Sequence, residues 1–285
     1  MRNISGFMKL LLPSAFLISG LLYALYIFWG YERGERSYED LEDAYTSVYE
    51  SEEVSPLESE KGLETEQQNG SVPSALHPVP PLDAPKRKTI DWDGLKDRNE
   101  DIIGWIDIPA VEISYPLVQG DDNEFYLHRG IDKEYLFAGC LFLDSACDRE
   151  LQNYNSIIYG HNMRNGSMFA RLKEFLSAET VQKCPYFWIY TPGGDFLFRV
   201  VSAHTAAPGS DTFTVRFKDY KSYAAWIEKK VALSAPSCGA VAVPGDRLVT
   251  LSTCTNDSSA RMVVQGKRVW SGLPLVADGD QTENR

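Results

Sequence analysis

Short apolar runs rich in β-branched and aromatic residues recur along the chain from Gly104 onwards. Runs of this length, bounded by Gly, Pro, Asn and Asp, predict buried strands. Many short strands with few helices between them are typical of a β-barrel or a β-sandwich, so the chain is predicted to be mainly β. The predicted strands are Gly104–Ile108, Ile113–Gln119, Gly139–Asp144, Ser156–Asn162, Phe187–Thr191, Phe196–His204, Leu248–Thr253 and Met262–Val269.

Helices and one tight hairpin complete the predicted domain. A short helix is expected after Asp91, a suitable N-cap residue, and Pro192-Gly193-Gly194-Asp195 predicts the hairpin. Two further helices are indicated by apolar residues at helical spacing, and both apolar stripes are expected to face the core. The stripes are Met168, Leu172, Phe175 and Leu176 in the first of these helices, and Tyr220, Ala224, Ile227 and Val231 in the second.

The first thirty residues differ from the rest, because residues 10–30 carry no charge. As a helix rising about 1.5 Å per residue, they would span roughly 30 Å, the thickness of a bilayer core. A signal peptide would end in a small-residue cleavage site, whereas this run ends in Tyr26-Ile27-Phe28-Trp29, which is typical of a membrane interface. Residues 1–30 are therefore predicted to be an uncleaved, single-pass membrane anchor. The short amino tail favours a topology with the domain outside the cell.

The next stretch, residues 31–88, is predicted to be an extracellular linker. Residues 31–70 hold thirteen acidic and three basic residues, a formal charge of −10, and such a composition predicts disorder. Residues 71–85 contain five prolines, which predict an extended spacer. The acidic and then Pro-rich linker is expected to lead into a folded domain at residues 89–275, followed by a polar tail at 276–285.

Charge and cysteine spacing narrow the possible partners. The formal net charge of −12 argues against a nucleic-acid partner, since phosphate binding requires clustered Lys and Arg. Neither a Cys-x-x-Cys pair nor an HExxH motif occurs, so neither a metal nor another cofactor is expected. The five cysteines are an odd number, so at least one thiol is free, and disulfide pairing among the other four is left open. The cysteines are Cys140, Cys147, Cys184, Cys238 and Cys254.

Two of the apolar strands end in reactive side chains. Leu248–Thr253 leads into Cys254, and Ser156–Gly160 leads into His161. A polar turn separates Cys254 from Arg261, so a hairpin would bring a guanidinium near the thiol. Nearby positive charge lowers the pKa of a thiol, and the thiolate is the nucleophilic form. Cys254 is therefore a candidate nucleophile and His161 a candidate general acid and base; the alternative is that Cys254 is a small buried apolar residue.

The motifs that carry these residues resemble those of a known family. They are Tyr159-Gly160-His161-Asn162, Thr250-Leu251-Ser252-Thr253-Cys254, and Arg261 at the head of Arg261-Met262-Val263-Val264. Together they resemble the sortases, the membrane-anchored cysteine transpeptidases of Gram-positive bacteria. Four further stretches resemble class B within that family: Asp101–Ile106, Tyr115–Gly120, Asp122–Leu127 and Phe142–Asp144. The resemblance extends over residues 90–272.

The resemblance implies an eight-stranded sortase-type β-barrel with a few peripheral helices, one of them between strands six and seven as in class B. It implies that Cys254 cleaves a sorting motif in surface proteins through a thioester. The acyl group would then pass to an amine of cell-wall peptide or of its lipid-linked precursor. His161 would transfer protons and Arg261 would stabilise the oxyanion, with Arg268 as the second choice. Substrate-binding roles are implied for Asn123, Leu127, Ser252 and Thr255.

Two other functions use the same features. A surface thiol protease would need the same residues and would release the acyl group to water. A non-catalytic binding module held at the cell surface would keep Cys254 buried and unreactive. Mass spectrometry of the products, with and without an added amine, separates the transpeptidase from the protease. Slow, unselective alkylation of all five cysteines in the native protein would indicate the binding module.

Overall fold

The structure, a computed structural model, describes residues 4–49, 79–239, 241–243, 245–254 and 259–275. Eight strands form a closed barrel. They are β3 (Ile102–Ile108), β4 (Ile113–Val118), β5 (Leu141–Leu143), β6 (Asn155–His161), β7 (Tyr186–Thr191), β8 (Gly194–Ala206), β9 (Leu248–Cys254) and β10 (Arg261–Gly272). Their order around the barrel is β10-β8-β7-β3-β4-β5-β6-β9. Each corresponds to one of the eight predicted strands, and the prediction of a mainly β barrel is confirmed.

Two parallel strand pairs give this barrel its topology. The pairs β4–β5 and β6–β9 are parallel, and the remaining neighbours are antiparallel. The hairpin predicted at Pro192–Asp195 joins β7 to β8, with Thr191 paired to Gly194. Large side chains such as Trp105, Trp188 and Phe198 are fully buried. Burying a side chain such as Phe contributes about 1.5–3 kcal/mol relative to exposure.

The helices lie at the periphery of the barrel. They are α1 (Ile4–Tyr45), α2 (Trp92–Arg98), α3 (Ala178–Lys183) and α4 (Tyr220–Ala232), with 3-10 turns at Pro109–Val111, Phe125–His128, Ala170–Leu176 and Asp211–Phe213. Asp91 caps α2 by accepting a hydrogen bond from the Gly94 amide, as expected. The helix α4 lies between the sixth and seventh barrel strands, as predicted. The expected core-facing stripe of α4 is wrong for Tyr220, which is exposed at the first turn, whereas Ile227 is buried. The helix predicted from Met168 is instead a 3-10 helix beginning at Ala170, because Met168 has a φ of 56°, outside the helical region.

The amino-terminal region differs from the prediction of a disordered linker beginning at residue 31. The helix α1 continues to Tyr45 and packs on the barrel through Tyr38 and Leu41, which are buried. A two-stranded sheet follows, formed by β1 (Thr46–Val48) and β2 (Lys88–Ile90). The acidic residues of this stretch lie between apolar residues at helical spacing, and burying that stripe orders the helix. Residues 50–78 of the predicted linker and residues 276–285, the predicted tail, lie outside the described residues.

Within the described residues, no helix combines the length and the apolar character needed to cross a membrane.

Candidate active site

The predicted nucleophile and the predicted base occupy paired positions at the ends of two neighbouring strands. Strands β6 and β9 run parallel, and their register pairs His161 with Cys254. Neighbouring strands lie about 4.8 Å apart, so two positions separated by 93 residues in sequence become adjacent in the barrel. Parallel strands place their carboxyl ends at the same edge, which is why both apolar runs end there.

His161 is held in place by the tightly packed end of β6. A side chain at Gly160 would meet the ring of Phe169 at 2.8 Å, so only glycine allows this close approach. The amide of Phe169 donates a 2.9 Å hydrogen bond to the carbonyl of His161. The chain then turns back, and Asn162 pairs with Met168 as an isolated bridge.

The imidazole of His161 contacts two residues from a different segment. Its Nε2 atom lies 2.5 Å from the carbonyl oxygen of Leu127. A carbonyl only accepts hydrogen bonds, so Nε2 carries a proton. The ring stacks on that of His128 with centroids 5.2 Å apart and planes inclined by 21°. Burial lowers the pKa of His161 and the nearby His128 adds to this, whereas the bond to Leu127 opposes it.

A tightly tied loop positions Leu127. The residue belongs to the 3-10 turn Phe125–His128, and the amide of Leu136 donates a 3.1 Å hydrogen bond to the carbonyl of His128. Gly139 has a φ of +57° and lies directly against the carbonyl of Leu127, the partner of His161. The hydroxyl of Tyr38 in α1 donates to the carbonyl of Gly139. The helix α1 is thereby connected to the histidine through one loop.

Arg261 begins β10, on the other side of β9. The antiparallel register pairs Val263 with Ser252, so Arg261 and Cys254 each lie two residues beyond this pair, towards the same end. The half-buried guanidinium of Arg261 donates a 3.1 Å hydrogen bond from Nη1 to the carbonyl of Thr253. The cation is therefore fixed at the residue that precedes Cys254, as the predicted hairpin requires.

Arg268, the second choice for this role, lies elsewhere. It is seven residues further along β10, or about 23 Å at 3.3 Å per strand residue. Its Nη2 atom donates to the carbonyl of Leu151 at 2.7 Å, and its guanidinium stacks over the ring of Phe196 at 4.1 Å. Burial lowers the pKa of Arg268 to about 10, with a smaller contribution from Arg247. The structure does not bring Arg268 to the site, and the arginine next to Cys254 is Arg261.

The four residues with implied substrate-binding roles occupy different environments. Asn123 is exposed, and its amide donates to the carboxylate of the buried Asp144 at 3.1 Å. Leu127 is half-buried and meets His161 through its carbonyl. Ser252 is fully buried in β9. Thr255 lies outside the described residues, and all four roles stay predictions.

The other cysteines are chemically unlike a nucleophile. In the described part of the chain Cys140, Cys147, Cys184 and Cys238 are free thiols. Burial raises the pKa of Cys140 and of Cys147 to about 12, and it also raises those of Cys184 and Cys238. Thiols of this kind stay protonated near neutral pH and are poor nucleophiles.

The contacts that orient His161 were missed by the sequence reasoning. The motifs give no role to His128, and they imply substrate binding for Leu127 without a role for its carbonyl. Neither the stack nor the carbonyl contact has a sequence signal, because both join segments more than thirty residues apart. The adjacency of His128 to the stretch Asp122–Leu127, which carries part of the class B resemblance, was the one available indication.

The chain is similar in sequence and in fold to several known proteins. The family model described as Sortase domain matches residues 106–269. Sortase B of Listeria monocytogenes is 32% identical over 178 residues, which cover 61% of this chain and 72% of that protein. The crystal structure of sortase B from B. anthracis in complex with AAEK1 matches with a TM-score of 0.66 and 26% identity, over 85% of this chain and 99% of that one. The Staphylococcus aureus sortase B–substrate complex matches with a TM-score of 0.60 and 26% identity, over 63% of this chain and 84% of that one.

Proposed function

The chain belongs to the sortase family of cysteine transpeptidases, within class B, and on this premise we propose that Cys254 is its nucleophile, with His161 and Arg261 as partners. The observation that carries the proposal is the register of β6 and β9, which pairs His161 with Cys254. Arg261, fixed on the carbonyl of Thr253, adds a permanent cation beside them. Thiol, imidazole and guanidinium are the groups that thioester chemistry requires.

The proposed reaction proceeds in two steps. The thiol of Cys254 gives its proton to His161, and the resulting thiolate attacks a backbone carbonyl of the substrate. The tetrahedral intermediate collapses to a thioester as the C–N bond breaks, and the leaving amine takes the proton from the imidazolium of His161. An acceptor amine then attacks the thioester, gives a proton to His161, and the C–S bond breaks to restore the thiolate. The net result exchanges one amide for another, with no oxidant, reductant or cofactor.

His161 is suited to both proton transfers. The hydrogen bond to the carbonyl of Leu127 fixes a proton on Nε2, and the ring orientation is held by the stack on His128. Burial lowers the pKa of His161, so the neutral imidazole is favoured near neutral pH. For the same reason the protonated imidazole releases its proton readily to a leaving amine.

Arg261 is suited to stabilising the oxyanion. A guanidinium has five N–H donors in a rigid plane, and the bond to the carbonyl of Thr253 uses one of them. A guanidinium is a permanent cation in proteins, so the positive charge is available throughout the reaction. Removing a donor from such a site typically lowers kcat by about 100-fold to 1,000-fold.

The proposed location is the cell membrane, with the barrel outside and residues 1–30 as a single-pass anchor. The uncharged run at residues 10–30 supports this, as does the exposure of large apolar side chains around the helix. These side chains include Phe16, Leu17, Leu21, Leu22, Tyr23, Tyr26, Phe28 and Trp29. The proposed partners are surface proteins with a carboxyl-terminal sorting motif and an amine of the cell wall or of its lipid-linked precursor.

The test uses purified full-length protein and a peptide library carrying candidate sorting motifs, with and without added amines. We expect a thioester adduct on Cys254 and an amine-dependent ligated product, both identified by mass spectrometry. Cys254→Ala should abolish both, whereas Cys184→Ala, which removes another accessible thiol, should retain both. Hydrolysed peptide as the sole product in the presence of amines would identify a protease instead. An adduct on a different cysteine would overturn the assignment.

A further inference from the structure

The exposure of α1 changes abruptly near residue 30. From Phe16 to Trp29 the large apolar side chains are exposed on every face of the helix. From Tyr31 onwards a single stripe packs on the barrel, with Gly34, Tyr38 and Leu41 buried. The helix is continuous across this change, so its exposed part and its packed part form one rod.

One barrel loop meets α1 at this boundary. The ring of Phe137 lies edge-on to that of Tyr31, with centroids 5.4 Å apart. Two glycines of α1 allow the close approach: a Cβ at Gly34 would be 3.2 Å from that of Ala138, and one at Gly30 would be 3.9 Å from that of Phe137. The loop is therefore fixed at the height of Gly30, where the uncharged run ends.

Two aromatic side chains of this loop are exposed beside the aromatic end of that run. Tyr135 is 57% exposed and Phe137 is 40% exposed, although large apolar side chains are normally buried. With Tyr26 and Trp29 they form a continuous surface, which we call the aromatic patch; a groove between helix and loop is lined by Tyr23, Ile27, Gly30 and Arg33 as well. Aromatic residues of this kind are enriched where proteins meet the headgroup region of a membrane.

We propose that the aromatic patch lies in the headgroup region of a lipid bilayer, so that the barrel rests directly on the membrane surface. The inference depends on the proposed anchor, because the depth of Tyr135 and Phe137 is set by α1. If residues 10–30 span the bilayer, the loop at the height of Gly30 is at the interface. The ordered helix from Tyr31 to Tyr45 then replaces the flexible tether that the acidic composition predicts for this stretch.

The charges around the patch are compatible with a lipid surface. Arg33 stacks over the ring of Trp29 at 5.7 Å, and Arg129 stacks over that of Phe125 at 4.8 Å. Two of the nearby acids are paired with bases: Glu32 pairs with Arg36 at 3.1 Å, and Asp132 pairs with Arg98 at 2.8 Å. Arginines beside interfacial aromatic residues favour contact with anionic headgroups.

This placement brings the candidate active site close to the bilayer. The loop that enters the patch at Tyr135 begins at Leu127, the partner of His161. The segment after His161 also reaches α1, where Asn165 donates to Glu35 at 3.3 Å. Glu35 and Tyr38 lie within eight residues of Gly30, or about 12 Å along a helix. A substrate would therefore have to present its scissile bond near the membrane surface.

Photo-crosslinking in lipid nanodiscs tests the proposal. The full chain is reconstituted in nanodiscs of phosphatidylethanolamine and phosphatidylglycerol, with p-benzoylphenylalanine replacing one residue at a time. Tyr135→p-benzoylphenylalanine and Phe137→p-benzoylphenylalanine probe the loop, and Trp29→p-benzoylphenylalanine reports on the anchor. Tyr220, which is 49% exposed at the start of α4, is the matched control. Adducts are identified by mass spectrometry, and thermal melting verifies that each variant is folded.

We expect lipid adducts at positions 29, 135 and 137, and none at position 220. Adducts at 29 without adducts at 135 or 137 would overturn the proposal while leaving the anchor intact. Absence of adducts at all four positions would overturn the anchor and this inference together, without affecting the thioester chemistry, which is measured with soluble peptides. Crosslinks from position 135 to a second copy of the chain would identify the patch as a dimer interface and also overturn the proposal.

Discussion

The ring of His128 stacks on the ring of His161, with centroids 5.2 Å apart and planes inclined by 21°. His161 is half-buried at the end of β6, whereas His128 is exposed and follows the residue whose carbonyl binds His161. When both rings are protonated they repel each other, so His128 disfavours the charged form of His161. The stack thus affects both the orientation of the candidate base and its protonation.

Replacing His128 with phenylalanine keeps a stacked ring and removes its charge. We expect His128→Phe to raise the pKa of His161, by a small amount because burial is the larger cause of its depression. The acid limb of the pH–rate profile should move to higher pH in parallel. Histidine NMR titration measures the pKa directly, and His204 serves as a reference in the same spectra because its ring lies elsewhere in β8.

His128→Ala separates the two effects, because it removes the stack as well as the charge. It should lower the rate at every pH, since the ring of His161 is less well held, in addition to moving the profile. If His128→Phe leaves the pKa of His161 unchanged, the stack is only structural.

Gly139 is expected to be essential for the position of His161. An alanine there would place its Cβ 2.7 Å from the carbonyl oxygen of Tyr126 and closer still to that of Leu127, at a φ of +57°. We expect Gly139→Ala to destabilise the fold by about 2–5 kcal/mol and to lower kcat more than KM, because the carbonyl that binds His161 has to move. Chemical denaturation and steady-state kinetics at a temperature where the variant is folded measure the two effects.

Gly209 provides the matched control. It has a φ of +73°, but an added Cβ would have no neighbour within 4 Å. Gly209→Ala therefore carries only the backbone penalty, about 1–2 kcal/mol, and should retain full activity. Equal losses of activity in the two variants would show that the loss at Gly139 has no connection with Leu127.

The barrel was predictable from the sequence because its strands are continuous apolar runs that end at turn residues. The positions of His161 and Cys254 followed for the same reason, since each comes at the end of such a run. The prediction of disorder from residue 31 is wrong for the part of α1 that runs to Tyr45. The acidic composition of this stretch favours disorder, but Tyr38 and Leu41 are buried against the barrel. This tertiary contact cannot be predicted from the composition of the stretch alone.

The contacts around the site could not be predicted in the same way. The bond from His161 to Leu127 and the placement of Gly139 depend on a loop that makes no periodic pattern in the sequence. Arg261 and Arg268 both lie on β10 and both have the right chemistry. Only the strand register shows that Arg261 is next to Cys254 and that Arg268 is at the far end.

His204 is expected to make stability depend on pH. Burial lowers the pKa of His204 from 6.5 to about 4, and the nearby Lys230 contributes. The unfolded chain therefore binds this proton more tightly than the folded protein does. The contribution of His204 to the free energy of unfolding is complete above pH 6.5 and is lost as the pH falls towards 4. The shift corresponds to at most about 3 kcal/mol. His204→Phe should flatten the free energy of unfolding over this pH range, measured by denaturation at several pH values.

His128→Phe is the control for this measurement, because it removes an exposed histidine instead of a buried one. Its free energy of unfolding should stay close to the pH dependence of the unmodified protein, since the only expected difference is the small one caused by the raised pKa of His161. A His204→Phe variant with the same slope as the unmodified protein would show that His204 is protonated as easily in the folded state as in the unfolded chain.

The two arginines of β10 should respond in opposite ways to replacement by lysine. Lysine keeps the charge but loses the planar array of donors, so Arg261→Lys is expected to lower kcat/KM by about 100-fold with little change in stability. Arg268→Lys loses the stack on Phe196 and the bond to Leu151, so it should reduce stability and leave kcat unchanged per folded molecule. Peptide-amine ligation kinetics and thermal melting of both variants give the comparison. If only Arg268→Lys lowered kcat, Arg268 and not Arg261 would be the arginine that serves Cys254. The register of β10 against β9 would then be wrong.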